Sequence, residues 1–218
     1  DDFMIVQKAA GVPCAPSRPG ETGTVVNALL HRYPGIRGIG FRPREAGLCH
    51  RLDNGTSGLL WVAKTAEAFE VARAALEAGE VDKRYLAVCR DPGGLQTGVI
   101  SSAMRSVGKR VRSGPVESFD GWLGTTRYQV IRRGPGRVLV EASATRAFRH
   151  QIRVHLAELG APLVGDTLYG GPAVDGFARH ALHASRLRYQ PLASGLRKRW
   201  ALDVGSTLPA DMAQLVVT

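Results

Sequence analysis

At 218 residues the chain is long enough to bury a substantial core, in one large domain or two small ones, and its 44% hydrophobic and 22% charged content is that of an ordinary globular protein. The formal net charge of +10, carried overwhelmingly by arginine, implies a polyanionic partner (RNA, DNA or an anionic membrane surface), although arginine richness also reflects the codon usage of a GC-rich genome. Three dispersed cysteines, no apolar run of membrane-spanning length and no signal-peptide pattern argue against a disulfide framework, a membrane protein and a secreted one, so a cytoplasmic location is expected.

Residues 3–7 form a short apolar run with strand character, followed by a turn rich in Gly and Pro through Gly20. Val25, Leu29 and Leu30 have helical spacing over residues 24–31, with Thr24 at the cap. Residues 34–45 read as a loop and residues 59–63 as a buried strand. The clearest helix spans residues 65–78: Thr65 at the cap, Glu67 in the first turn, Phe69, Ala72 and Leu76 on one face, and Gly79 as the stop. Residues 81–89 alternate as a strand, with Lys83, Tyr85 and Ala87 on one side. Residues 101–121 read as an irregular basic loop carrying Arg105, Lys109, Arg110 and Arg112, either an RNA-gripping element that orders on binding or a solvated surface loop. Residues 125–132 and 137–142 bracket Gly134-Pro135-Gly136 as a hairpin, residues 150–159 form a helix ended by Gly160, and a last helix starts near Pro209. Arg197-Lys198-Arg199-Trp200 reads as a charged strand edge or a phosphate contact. Strands outnumber helices, so the class is α+β with a mixed, mainly antiparallel sheet and flanking helices.

The chemistry-bearing stretch is His50-Arg51-Leu52-Asp53-Asn54-Gly55-Thr56-Ser57-Gly58-Leu59-Leu60. It sets one carboxylate between a basic pair and a small-polar turn, where it can meet a polyanion closely. By spacing alone, Asn54-Gly55 reads equally as a hairpin turn with Asp53 an incidental member. Further along stand Lys83-Arg84-Tyr85-Leu86-Ala87, His150-Gln151-Ile152-Arg153-Val154-His155-Leu156, Gly165-Asp166-Thr167-Leu168-Tyr169-Gly170, Leu182-His183-Ala184 and Leu208-Pro209-Ala210-Asp211. His150 and His155, five apart, share no helical face, and His180 with His183 lacks a second ligand pair, so no metal is expected.

In this order the motifs resemble those of the RluA-type pseudouridine synthases, over nearly the whole chain. The resemblance implies one catalytic domain over residues 1–218, with no separate N-terminal RNA-binding domain in this chain, and a monomer. It implies an isomerase converting uridine to pseudouridine in rRNA or tRNA, with Asp53, Tyr85 and Arg153 as catalytic residues and Arg153 as the partner of Asp53. Substrate binding is expected of Arg51, His50, Thr56, Lys83, His150 and Gln151, with Arg110 and Arg112 added for phosphate. Arg51 is placed to fill the space left by a flipped base or to hold a phosphate, although His50 and Arg51 also suit a role in fixing the loop. Three departures stand out: Lys8-Ala9-Ala10-Gly11 where the family has Lys-Pro-x-Gly, Asn54 where a charge is usual, and Ala147-Phe148 where a glycine and an arginine precede the His-Gln pair.

The isomerisation breaks the bond from ring nitrogen to sugar and rejoins the sugar to a ring carbon, without net oxidation. No cofactor is expected, in keeping with a sequence lacking a dinucleotide fingerprint or P-loop. Asp53 would act as nucleophile toward sugar or base, or as a base, and Tyr85 would stack on the uracil. Two other classes stand beside this one. A non-catalytic RNA-binding or ribosome-assembly factor is favoured by the Ala147-Phe148 departure, and a nucleosidase would need a second carboxylate such as Asp166 or Glu141.

Overall fold

A computed structural model describes residues 2–117, 119–191 and 200–217 of the chain. The basic run Arg197, Lys198 and Arg199 lies outside the described residues. In chain order the first elements are β1 (Phe3–Lys8), α1 (Val25–Arg32), β2 (Ser57–Ala63), α2 (Ala66–Ala78) and β3 (Val81–Arg90). Then come β4 (Gly98–Val107), β5 (Arg110–Gly114), β6 (Trp122–Gly134), β7 (Arg137–Ser143), α3 (Gln151–Glu158), β8 (Leu182–Tyr189), β9 (Leu202–Gly205) and α4 (Ala210–Val217). The class is the expected α+β, with mostly antiparallel strands. Two compact units emerge, residues 1–82 with 186–206 and residues 83–185 with 207–218.

In the first unit β1 pairs antiparallel with β2, and the end of β8 pairs antiparallel with β9. Every residue of β2 is buried, which explains its unbroken apolar run. The core gathers Leu59, Trp61, Phe69, Ala72, Leu76 and Tyr189, with the Trp61 and Tyr189 ring centroids 5.5 Å apart. Both helices start as read from their caps. Thr24 accepts from the Asn27 amide while Asn27 Oδ1 accepts from the Thr24 amide, and Thr65 accepts from the Ala68 amide; such a cap contributes about 1 kcal/mol. Gly79 ends α2 in the left-handed region at φ 76°, donating back to Ala75 and Leu76.

The second unit carries the strand order β3-β7-β6-β4-β5, each neighbour pair antiparallel. The β6-β7 hairpin closes through Pro135 and Gly136 and carries an irregularity between Val130 and Arg132. Val88, Leu139, Val164, Met212 and Leu215 form one core, and Met104, Val111 and Val154 a smaller one beneath α3.

Residues 101–121 correct the sequence reading. Most of the expected irregular loop belongs to the β4-β5 hairpin, with Val107 opposite Arg110 and a two-residue turn at Gly108-Lys109. Gly108, at φ 58°, supplies the positive φ that a tight hairpin turn requires. Alternation was masked because the buried residues of β4 are consecutive (Ser102, Ala103, Met104) and β5 buries only Val111, while Arg105, Arg110 and Arg112 are exposed.

Candidate active site

Asp53 sits on a loop held at both ends. Residues 47–49 run back along β2: the Ala63 amide donates to Gly47 O (2.7 Å) and the Cys49 amide to Trp61 O (3.0 Å). His50 Nε2 accepts from the Trp61 amide at 3.1 Å, and Arg73 Nη1 on α2 donates to Cys49 O at 3.0 Å. Asp53 then opens a turn closed by the Thr56 amide donating to Asp53 O at 3.0 Å. Neither Asn54 nor Gly55 takes a positive φ, so this is not the type I′ turn that an Asn-Gly hairpin uses.

A second restraint comes from the residues after β1. The ammonium of Lys8 is buried and donates to Ala9 O (2.9 Å), Val12 O (2.7 Å) and Asn54 O (2.9 Å). The Gly11 amide also donates to Asn54 O, at 2.7 Å, while the Cys14 thiol both donates to Leu52 O and accepts from the Leu52 amide at 3.3 Å. The two neighbours of Asp53 in sequence are thus tied to residues 8–14. The Lys8-Ala9-Ala10-Gly11 departure keeps the lysine and glycine that make these bonds. Where the proline was expected, Ala9 contributes only its carbonyl. Thr56 is buried behind the turn, whereas Arg51 is exposed, its side chain 66% accessible and only loosely paired with Glu45 at 3.9 Å.

In the second unit, Lys83 and Tyr85 occupy alternate positions of β3 and both are buried. The His-Gln-Ile-Arg-x-His-Leu motif is α3, in which Gln151, Ile152, Arg153, Val154, His155 and Leu156 are all buried. Over these six residues the helix is buried all round and must satisfy its polar side chains within the protein, and it does. Gln151 accepts from the Phe148 amide (3.0 Å) and donates to Thr125 O (2.9 Å) and Thr126 Oγ1 (3.1 Å). His155 shares hydrogen bonds with Ser102 (3.0 Å) and Thr126 (2.8 Å), and burial pushes its pKa down to about 4, so the ring is neutral at pH 7. Arg153 donates from Nε and Nη2 to the two oxygens of Asp166, at 2.7 and 2.8 Å. Breaking such a buried pair by removing one partner costs about 3–5 kcal/mol.

Tyr169 completes this cluster. Its ring lies under the Arg153 guanidinium at 5.1 Å, its hydroxyl accepts from the Val111 amide at 2.8 Å, and it shares a 2.7 Å hydrogen bond with His150 Nδ1. His150, just before α3, is the sole non-glycine residue with a positive φ (56°) among the described residues, a conformation that costs energy and is held here by these contacts. Tyr169, within the Gly165 to Gly170 motif, has no role legible in the sequence, where Asp166 is a candidate water-activating carboxylate. Both Asp166 oxygens instead serve Arg153. The partnership spans 13 residues and two elements, with no local pattern to reveal it. Glu141, the other carboxylate weighed, pairs with Arg84 at 3.1 Å.

Arg110 and Arg112 are exposed on β5, with Arg105 directly opposite Arg112. Like charges in opposed positions destabilise a bare strand pair and suit a surface that meets phosphate. Among the described residues no three His, Cys, Asp or Glu side chains gather to hold a metal, and no helix is long and apolar enough to cross a membrane.

Comparison with known proteins gives a consistent result. Residues 2–158 match the family model described as RNA pseudouridylate synthase. Ribosomal large subunit pseudouridine synthase D of Yersinia pestis is 35% identical over 99% of this chain, which spans 67% of that protein. Among solved structures, human RNA pseudouridylate synthase domain containing 4 superposes with TM-score 0.74 at 20% identity, over 97% of this chain and 87% of that one. Human RNA pseudouridylate synthase domain containing 1 gives 0.71 at 27% identity, over 94% and 80%. The family-model match over residues 2–158 and the 35% identity over 99% of the chain place it by sequence as well as by fold: the chain belongs to the RNA pseudouridylate synthase family, enzymes that isomerise uridine within RNA.

Proposed function

We propose that this pseudouridine synthase modifies a uridine of large-subunit ribosomal RNA, with Asp53 as the catalytic carboxylate. The choice of RNA rests on the relatives named for the large ribosomal subunit. The observation that carries the residue assignment is the double restraint on the Asp53 loop. His50 and Arg73 hold its entry, and Lys8, Gly11 and Cys14 hold the residues on either side of the carboxylate. A group fixed before substrate arrives loses little entropy at the moment of reaction.

In the reaction the bond from the sugar to ring nitrogen N1 breaks and a bond from the same sugar carbon to ring carbon C5 forms. N1 gains a proton and C5 gives one up, so composition is unchanged. Asp53 acts on the nucleoside during bond exchange, Tyr85 provides the stacking surface for the uracil, and Arg153, its guanidinium oriented by Asp166, supplies fixed positive charge. His50, Thr56, Lys83, His150 and Gln151 set backbone and side-chain positions around these groups. Arg51, exposed beside Asp53, meets the RNA directly, and Arg110 and Arg112 bind phosphate.

The test is Asp53→Asn, which removes charge with little change of volume. Pseudouridine formation on ribosomal RNA should vanish while melting temperature and RNA affinity stay near wild type. Wild-type turnover in this variant would sink the assignment, and a wild-type protein that binds ribosomal RNA yet leaves every uridine unchanged would favour the non-catalytic reading.

A further inference from the structure

The second unit contains a cavity of about 340 Å³ that the catalytic assignment leaves unused. It is lined by Met104, Ser106, Val111, Trp122, Phe148 and Arg149, and its lining includes neither Tyr85 nor Arg153. We propose that this cavity is a nucleobase subsite, which takes one unpaired base of the RNA other than the uridine being isomerised. The proposal rests on the reading that the substrate is RNA.

The shape and chemistry fit a base. The rings of Trp122 and Phe148 are nearly parallel, at 16°, with centroids 5.9 Å apart. That spacing is an offset stack, too close to admit a base between the rings, so a base adds to the stack from its open side. Trp122 is 57% exposed and therefore presents an uncovered indole. Met104 and Val111, both buried, make an apolar floor, and Ser106 offers a hydroxyl to a base edge. Arg149 stands at the rim with its guanidinium already fixed, Nη1 donating to Gly108 O (3.0 Å) and Nη2 to Lys109 O (2.8 Å). A guanidinium plane held in this way can stack on a base or face a phosphate without further ordering.

The surrounding charge selects a nucleic acid over an apolar peptide. Residues 98–114 carry Arg105, Lys109, Arg110 and Arg112 and no acidic residue, and residues 143–150 carry Arg146 and Arg149 and again none, against Glu117 and Asp120 in the segment that leads into Trp122. Aromatic surface interleaved with arginine is the pattern by which proteins hold single-stranded RNA. The subsite also accounts for a departure in the sequence. Phe148 stands where the family pattern has an arginine, so a charged contact is exchanged here for a stacking one.

The test compares an octamer of oligoadenylate with an abasic ribose-phosphate octamer of the same length. Of the three tryptophans, Trp61 and Trp200 are buried, so accessible tryptophan fluorescence reports Trp122. Oligoadenylate should quench that signal and the abasic octamer should not. Trp122→Ala and Phe148→Ala should each weaken oligoadenylate binding roughly 5- to 150-fold, the range expected for one stacked base. Trp122→Phe should keep most of the affinity. Binding of the abasic octamer and the slope of affinity against salt should be unchanged, because no phosphate contact is lost. Equal quenching by both octamers, or variants that bind oligoadenylate as wild type does, would overturn the subsite. Pseudouridine formation by the wild-type enzyme is measured separately. Base-dependent quenching without product overturns the proposed function and leaves the subsite, and product without base-dependent quenching does the reverse.

Discussion

Lys8 shows how a residue far from Asp53 in sequence governs its placement. A buried ammonium is unfavourable unless its protons are used, and here three are accounted for by carbonyls, one of them on Asn54. Lys8→Met should therefore act in two ways. Removing the ammonium from Ala9 O and Val12 O, and leaving Asn54 O with the Gly11 amide, should lower stability by about 1–3 kcal/mol, read from urea denaturation. Loosening the Asp53 loop should lower kcat roughly ten- to hundred-fold with KM for RNA little changed, since misplacement of a reacting group by an ångström or so has effects of that order. A parallel rise in KM would instead place Lys8 among the RNA contacts. The Asp53 motif was legible in the sequence, as were the Tyr85 and Arg153 motifs that accompany it. Lys8 was seen only as part of a departure from a family pattern, because 46 residues separate it from the carbonyl it holds. Asp166 and Tyr169 were hidden for the same reason: local spacing does not reveal which polar side chains a buried helix will need.

Elements whose boundaries are written in capping chemistry were read almost to the residue. Helices α1 and α2 start after Thr24 and Thr65, and α2 stops at Gly79, because caps and a left-handed glycine act locally. The β4-β5 hairpin escaped because its buried residues do not alternate: Ser102, Ala103 and Met104 are buried in succession, the next three residues are exposed, and β5 buries only Val111. Its rigid form changes what its arginines do. A hairpin presents Arg105, Arg110 and Arg112 at fixed spacing, and the exposed pair on β5 should act through phosphate charge rather than chemistry. Neutralising both in Arg110→Gln/Arg112→Gln should make the plot of log affinity against log salt shallower by about 1.4–1.8, the contribution of two phosphate contacts. Turnover at saturating RNA should stay near wild type. An unchanged salt slope would remove the hairpin from the RNA surface, and a collapse of saturated turnover would move it into the catalytic machinery.

At the scale of the whole molecule, acid stability follows from two imidazoles buried in the folded chain. His155 and His183 are both held at a pKa of about 4 by burial, with the Arg179 charge adding to the effect on His183 and Asp211 opposing it. In the unfolded chain each takes a proton near pH 6.5. Between those limits the unfolded state binds more protons than the folded one, so stability rises with pH. The contribution is fully present above about pH 6.5 and is lost as pH falls toward 4, by about 2–3 kcal/mol for each ring at most. Glu158 works in the opposite sense, because burial raises its pKa and acid relieves the cost of its charge. Asp91 and Asp211, held low by Arg133 and Arg179, lose their stabilisation only at still lower pH. Protonating a chain that already carries a net charge of +10 adds repulsion in the same direction as the histidines. Urea denaturation between pH 7.5 and 4.5 should thus show a steady fall in stability, beginning near pH 6.5 rather than at the carboxylate range. His155→Gln loses hydrogen bonds to Ser102 and Thr126 and should be less stable at pH 7.5, but its curve should be flatter, and His155→Gln/His183→Gln flatter still. The slope separates titration from packing: a double variant that is destabilised equally at every pH, with the wild-type slope intact, would show that these rings do not set the acid response.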